Sequence, residues 1–237
     1  MRAVAFVLAA AAPYRASALL DHGARRALRG RRLRGATFGL VTRTSPSDAN
    51  AMYSPQQSYG KSVAIDGDIA VVGAPGDSNE KGAAYVLRTT DGGATYVELA
   101  KLTASDRYSV AGEHRFGWSV AIDGNTIVVG APGVDDAGDD SGAVYVFSTS
   151  DSWNTYTETR LTASDAALGD NFGISVAIDG GVVVAGTYGG KDAAYVFRAS
   201  DGVELAMLTA SDGVAHEHEN FGASVAIEGD TIVVGAY

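Results

Sequence analysis

One fifteen-residue stretch, "SVAIDGNTIVVGAPG" from Ser119 to Gly133, is repeated in close copies that begin at Ser62, Ser175 and Ser224. Aligned on Tyr59-Gly60, Phe116-Gly117, Phe172-Gly173 and Phe221-Gly222, the copies stand 57, 56 and 49 residues apart. Repeats of this period build propeller blades or solenoids, because one short unit cannot bury its own apolar face and must stack on its neighbours.

The order of features inside each unit predicts four short strands. Ser119 to Ile122 is a short apolar strand, Asp123-Gly124 reads as a tight hairpin turn, and Thr126 to Gly130 is the second strand. The turn recurs as Asp66-Gly67, Asp179-Gly180 and Glu228-Gly229, and the positive φ of a type I′ turn is expected at both of its central residues. "TIVVGA" is apolar at consecutive positions, so both of its faces should be covered. "AVYVF" (Ala143 to Phe147) makes a third strand and is repeated at Ala83 and Ala193. A fourth strand ends in "RLTASD" (Arg160 to Asp165), with Asp106, Asp165 and Asp212 expected to cap their own turns. Four antiparallel strands per unit make a propeller blade, so the fold class is all-β.

These residues carry a family resemblance. "FGWSVAI…VVGAPG" resembles the FG-GAP repeat, which builds the β-propeller head of integrin α subunits and recurs in many secreted proteins. The resemblance covers residues 58–237 as three repeats and the first half of a fourth, starting near 58, 115, 171 and 220. With about three and a half units, an incomplete propeller or open arc is expected, since closed propellers use roughly four to eight blades. "SPSD" (Ser45 to Asp48) stands at the position of "TASD" and suggests a fourth strand from an earlier, degenerate unit.

Charge divides the chain near Arg43. Residues 1–43 hold nine Lys/Arg against Asp21 alone, a net of +8, while residues 44–237 carry −18 of the chain's total of −10. The acidic body excludes nucleic-acid binding, which needs a cationic face. Arg2, the apolar run from Ala3 to Ala12 and Ala16-Ser17-Ala18 read as a signal peptide over residues 1–18, with a short core helix as the competing reading. Residues 19–43 read as a basic, unfolded leader or propeptide, and residues 44–237 as the propeller segment. The destination is secreted or extracellular on this reading; a bipartite plastid presequence is the alternative. Nothing approaches the roughly 18 consecutive apolar residues of a membrane-spanning helix.

Integrin-type repeats carry a DxDxDG calcium motif between the first two strands, where this chain has only "DG". A two-residue turn cannot supply the six or more oxygens that Ca²⁺ takes. The remaining candidate for calcium is the acidic loop holding Asp135, Asp136, Asp139 and Asp140, with a solvated turn as the plainer reading. Loops between strands two and three, and between strand four and the next blade, emerge on one face and vary in sequence, as binding loops do. The ligand-binding candidates there are Trp118, His114, Arg115, Tyr108, His216 and His218. No nucleophile elbow, zinc-binding H-E-x-x-H or other catalytic constellation occurs, so the chain is not expected to be an enzyme. The expected function is a secreted or cell-surface module for adhesion or recognition of a protein or glycan, with self-association through open blade faces. The alternative is an accessory propeller of a larger secreted hydrolase.

Overall fold

Each copy of the repeat folds as an antiparallel meander in the computed structural model, which describes residues 5–10, 38–44, 58–107, 113–210 and 220–236. β1 (Ala5–Ala10) pairs with β2 (Phe38–Thr44). Blade 1 comprises β3 (Ser62–Asp66), β4 (Ile69–Ala74), β5 (Ala83–Arg88) and β6 (Val97–Leu102). Blade 2 comprises β7 (Ser119–Asp123), β8 (Thr126–Ala131), β9 (Ala143–Ser148) and β10 (Thr157–Leu161). Blade 3 comprises β11 (Ser175–Asp179), β12 (Val182–Gly186), β13 (Ala194–Arg198) and β14 (Glu204–Leu208). β15 (Ser224–Glu228) and β16 (Thr231–Gly235) form the first half of a further blade. The protein is therefore all-β, an open propeller-like arc in which β3, β7, β11 and β15 lie side by side along the inner edge.

The core sits between blades. Val71, Ala84, Val86 and Leu102 of blade 1 pack on Phe116, Val120, Ile127, Tyr145 and Phe147 of blade 2. Val128, Val146 and Leu161 of blade 2 meet Phe172, Ile178, Val183, Tyr195 and Phe197 of blade 3 in the same way. The sheet of blade 2 is thus covered on both faces, which is why β8 is apolar without alternation. Phe116 and Phe172 are fully buried and pack edge-on or tilted against the third-strand aromatics of their own blade, Phe116 at 5.3 Å from Tyr145 and Phe172 at 5.5 Å from Tyr195. Burying each ring contributes about 1.5–3 kcal/mol.

The invariant small residues serve the joint at the inner edge. Ser62 Oγ donates to the Gly117 carbonyl at 2.8 Å, Ser119 Oγ to Gly173 at 2.7 Å and Ser175 Oγ to Gly222 at 2.6 Å. A Cβ on Gly73, Gly130 or Gly186 would run into that same carbonyl oxygen and into the serine hydroxyl. Glycine is required there by close approach of two backbones.

The hairpins turn one residue later than the sequence suggests. Asp66 pairs with Ile69 and Asp123 with Thr126, so the central residues are Gly67-Asp68 and Gly124-Asn125. Gly67 and Gly124 have φ of 60° and 58° while Asp68 and Asn125 are not left-handed, which is the pattern of glycine at the first position rather than the expected type I′; at Gly180-Gly181 both φ are positive, 58° and 80°, as type I′ requires. The aspartate is released to act across the joint: Asp66 Oδ2 accepts the Gly124 N–H at 2.7 Å, Asp123 that of Gly180 at 2.8 Å, and Asp179 that of Gly229 at 2.7 Å.

At the same end, the loop from β5 to β6 is clasped by its own side chains. Asp91 Oδ1 accepts the Thr95 N–H at 2.8 Å, Asp91 Oδ2 accepts the Thr95 hydroxyl at 2.6 Å, and Thr89 Oγ1 accepts the Gly93 N–H at 2.7 Å. Asp151 repeats this with Thr155 and Thr149. Hydrogen bonds from the Thr95 side chain and backbone hold the Asp91 pKa down at about 2.

Two outcomes are expected. Gly130→Ala should lower stability by about 1–3 kcal/mol, because two backbones must separate to admit the methyl group; urea unfolding monitored by tryptophan fluorescence measures it, and an unchanged midpoint would refute the joint. A depressed folded-state pKa gives stability that is present above the ordinary value of 3.8 and lost as pH falls toward about 2. Asp91→Asn should therefore flatten the decline of melting temperature across that acid range, read by scanning calorimetry.

Candidate functional site

The loops opposite the hairpin turns interlock, and the segments entering blades 2 and 3 are each held between the loops of two consecutive blades. The segment entering blade 2 donates its Arg115 N–H to Glu80 O at 2.9 Å in blade 1, while its His114 carbonyl accepts the Gly133 N–H of blade 2 at 3.2 Å. The segment entering blade 3 donates the Gly169 and Asn171 N–H groups to Asp139 and Asp140 of blade 2, at 2.9 and 2.8 Å, and its Asp170 carbonyl accepts the Tyr188 N–H of blade 3. The residue before each aromatic-glycine pair is left-handed, with φ of 49° at Ser58, 53° at Arg115, 47° at Asn171 and 48° at Asn220, and in all four its carbonyl accepts the N–H three residues on. The chain must reverse there to pass from the loop face into the inner strand.

Three candidates from the sequence lie in different settings. His114 is fully buried beneath the Gly133 turn, so its imidazole is not offered to a partner and the expectation of a surface ligand contact is corrected. Arg115 remains partly exposed but is bound to Glu113 at 3.2 Å and Asp140 at 3.7 Å. Trp118 is half-buried with the Lys61 ammonium 4.1 Å from its ring centroid. Lys61 and Trp118 follow the aromatic-glycine pair in successive blades, so this cation–π contact spans the inner rim of the loop face. Tyr108, His216 and His218 lie outside the described residues.

The acidic loop does not gather its carboxylates. Asp135 Oδ1 accepts the Asp140 N–H at 2.8 Å, Asp136 forms an ion pair with Arg160, and Asp140 faces Arg115. Asp139 is exposed and contributes its backbone carbonyl to Gly169. Among the described residues no three His, Asp or Glu side chains converge as a metal site would require.

"TASD" also works differently from the expected turn cap. Asp106 accepts the Tyr145 hydroxyl of the next blade at 2.9 Å, and Asp165 accepts that of Tyr195 at 2.6 Å. The serines of the same motif reach the next blade too, Ser105 Oγ to Glu158 at 2.8 Å and Ser164 Oγ to Glu204 at 3.0 Å. In blade 1 the acceptor for Tyr85 is the buried Asp77, at 2.7 Å, which also takes Lys101 Nζ at 3.0 Å. Burial raises the pKa of Tyr145 and Tyr195 far above the usual phenol value, while hydrogen bonds from Lys191 and Tyr195 lower that of Asp165.

Several contributors to this face were not singled out in the sequence. Leu168 is 67% exposed and Tyr188 37% exposed, both on the loops of blades 2 and 3. The signal for Leu168 was an apolar residue in the polar stretch "AALGDN". Glu80 and Glu113 share a hydrogen bond across two blades, which raises the Glu80 pKa and lowers that of Glu113. A depression of about 380 Å³ is lined by Asp136, Ser141, Arg160, Thr162 and Ser164. Arg160 packs its guanidinium 5.9 Å from the Tyr145 ring centre and bonds Asp106 at 3.3 Å, and its buried Nε has no hydrogen-bond partner among the described residues.

Asp165→Ala should cost about 1–3 kcal/mol, because the fully buried Tyr195 loses its acceptor. Asp165→Asn should keep most of that stability at neutral pH. The lowered Asp165 pKa means the carboxylate's contribution is present above the ordinary carboxylate range and lost below it, so the Asn variant should show the shallower acid limb in a pH series of melting curves.

A family model described as the FG-GAP repeat matches residues 41–87, 96–147, 156–197 and 203–237. The first match begins within β2 and the others just ahead of β6, β10 and β14. No curated protein sequence matches the chain. Among solved structures, the computationally designed Ika4 protein is similar at 18% identity and a TM-score of 0.45, over 77% of this chain and 88% of that one. The designed Ika8 protein is similar at 18% identity and a TM-score of 0.44, over 74% of this chain and 42% of that one. Four matched repeats spanning the inner, middle and outer strands of successive blades place this chain in the FG-GAP repeat family.

Proposed function

We propose that this repeat β-propeller segment is a binding module, not a catalyst, and that it recognises a protein partner through its interlocked loop face. The observation that carries the reading is the contrast between the two ends of the blades. At the hairpin end, two-residue turns recur from unit to unit and the β5–β6 and β9–β10 loops share one self-clasped pattern, with a shorter loop between β13 and β14. At the other end, loops of different length and charge are cross-braced by backbone bonds, so they present a rigid, irregular surface without loss of order on binding. That surface mixes the exposed Leu168 and Tyr188 with Arg115, Arg160 and the Asp135 to Asp140 carboxylates. The reading is independent of cellular location: secretion and plastid import both rest on residues 1–43, and β1 and part of β2 lie on those residues.

A panel of purified proteins and a glycan array, probed with the full chain, tests the proposal. A protein ligand is expected whose affinity falls by roughly 30-fold or more in a Leu168→Asp, Tyr188→Asp variant, the loss typical of a central contact pair. Asn154→Asp, at the hairpin end, should leave it unchanged. Binding that tolerates the double variant and is lost with Asn154→Asp would place the site on the wrong face. Ligands found only on the glycan array would overturn the partner class.

A further inference from the structure

Asp-Gly carries a reactivity of its own. Glycine has no side chain to block the approach of its nitrogen to the side-chain carbonyl carbon of the aspartate before it, and its backbone reaches the conformations this approach needs. The chain has six such steps, at Asp66, Asp91, Asp123, Asp179, Asp201 and Asp212. Asp212-Gly213 lies outside the described residues. The other five differ in what holds the glycine nitrogen and what holds the carboxyl group.

The joints at the hairpin end protect the turns of blades 2 and 3. The Gly124 N–H, whose nitrogen would react with Asp123, is donated to Asp66 Oδ2 at 2.7 Å, and the Gly180 N–H, beside Asp179, is donated to Asp123 Oδ2 at 2.8 Å. A nitrogen held by a carboxylate of the blade before is turned away from its own aspartate, and this charge-assisted bond must break before reaction begins. Asp201 is protected in another way. Gly202 N–H donates to the Arg198 carbonyl at 2.9 Å, and the Arg198 guanidinium holds the Asp201 carboxylate at 2.8 Å. At Asp91 the carboxyl group itself is guarded: it accepts the Thr95 N–H, the Thr95 hydroxyl and the Thr89 hydroxyl. Those bonds keep it ionised, and an ionised carboxylate has no hydroxyl to lose.

Asp66-Gly67 is the exception. Among the described residues nothing accepts the Gly67 N–H. Gly67 is exposed, with φ of 60° and open space where a side chain would stand. Asp66, Asp123 and Asp179 each give one oxygen to the turn of the next blade, so the three steps match in sequence and in the use of the carboxylate. They differ at the glycine nitrogen.

We propose that Asp66 is a site of spontaneous covalent modification, isomerising to isoaspartate in the folded protein while the equivalent Asp123 and Asp179 are protected by their joints. The Gly67 nitrogen bonds to the side-chain carbonyl carbon of protonated Asp66; its proton and the carboxyl hydroxyl leave as water, closing a succinimide ring. Water then adds back at either ring carbonyl, and addition at the backbone carbonyl leaves the main chain running through the Asp66 methylene. The water lost in the first step is regained in the second, with no oxidant or cofactor consumed. The product lengthens the main chain by one carbon at the end of β3, which breaks the Asp66–Ile69 pair and moves the carboxylate off Gly124. Ageing of the protein therefore loosens the joint between blades 1 and 2 from the hairpin end.

Peptide mapping with electron-transfer fragmentation, which tells isoaspartate from aspartate at equal mass, tests this on the full chain held at mildly acidic pH. Isoaspartate at residue 66 should form roughly tenfold faster than at residues 123 and 179, a ratio equal to about 1.4 kcal/mol and the order of one hydrogen bond to a charged group. In the urea-unfolded chain the three rates should converge. Asp66→Ala removes the acceptor of Gly124 N–H, so the rate at Asp123 should rise by roughly the same tenfold while that at Asp179 stays unchanged. Equal rates at the three sites in the folded chain, or an Asp66→Ala variant in which Asp123 reacts no faster, would overturn the proposal. An equal rise at Asp179 would mean that the variant has lost its fold, and amide exchange in the unaltered chain then decides. Gly67 should exchange fast and Gly124 and Gly180 slowly; a Gly67 amide as protected as theirs sinks the proposal.

Discussion

The arc depends on one contact made at each joint: a backbone carbonyl of one blade set against a glycine of the blade before it. Gly117, Gly173 and Gly222 each place their carbonyl oxygen where the Cβ of Gly73, Gly130 or Gly186 would be, and a serine hydroxyl from the earlier blade satisfies it. A carbonyl buried without that hydroxyl would carry the cost of an unmet hydrogen bond, about 1–3 kcal/mol. The contact therefore demands two residue types together, Ser at the start of the first strand and Gly near the end of the second. Once the inner strands are locked at this distance, the aromatic rings of Phe116 and Phe172 have a gap of fixed width to fill. The apolar layers of the outer strands follow.

Much of this was legible in the sequence because repetition removes ambiguity. A lone "DG" or "TASD" has several uses, but four units in a constant order identify strands, blades and joint residues at once. What stayed hidden was action between units. Asp66 and Asp123 read as turn residues because Asp-Gly is a strong hairpin signal, yet their carboxylates bind the next blade's turn and the glycine alone does the turning. Asp106 and Asp165 read as local caps, yet they serve Tyr145 and Tyr195 of the next blade. Both misreadings came from assigning a short polar side chain to its sequence neighbours, when the donor it serves lay between 30 and 58 residues away.

The candidate face was legible as a set of loops and not as a set of side chains. Exposure of loops follows from meander topology, but the fate of each residue depends on which backbone bond brings two loops together. His114 lost its place on the surface because its own carbonyl is drawn to Gly133. Three of the four aspartates of the 135–140 loop were drawn apart because Arg160, Arg115 and a backbone N–H each took one. Leu168 gained importance only when the loop carrying it was fixed against Asp139 and Asp140.

This cross-bracing has a consequence for how such a surface can change. Where loops are independent, a substitution in one alters a single element of the face. Here the segment entering blade 3 is held by blade 2 on one side and blade 3 on the other, so a shift in the Asp139–Asp140 turn moves Leu168 and, through Asp170, Tyr188. Energies of substitutions sharing these bonds will not add. The hairpin end lacks that freedom for a different reason. The turns of blades 2 and 3 each supply an N–H to the blade before and a carboxylate to the blade after, so a change in either disturbs two joints. Variation is channelled to the loop face, where bracing is by backbone groups that any side chain leaves intact. A scaffold of identical joints can then carry a surface that differs in every blade.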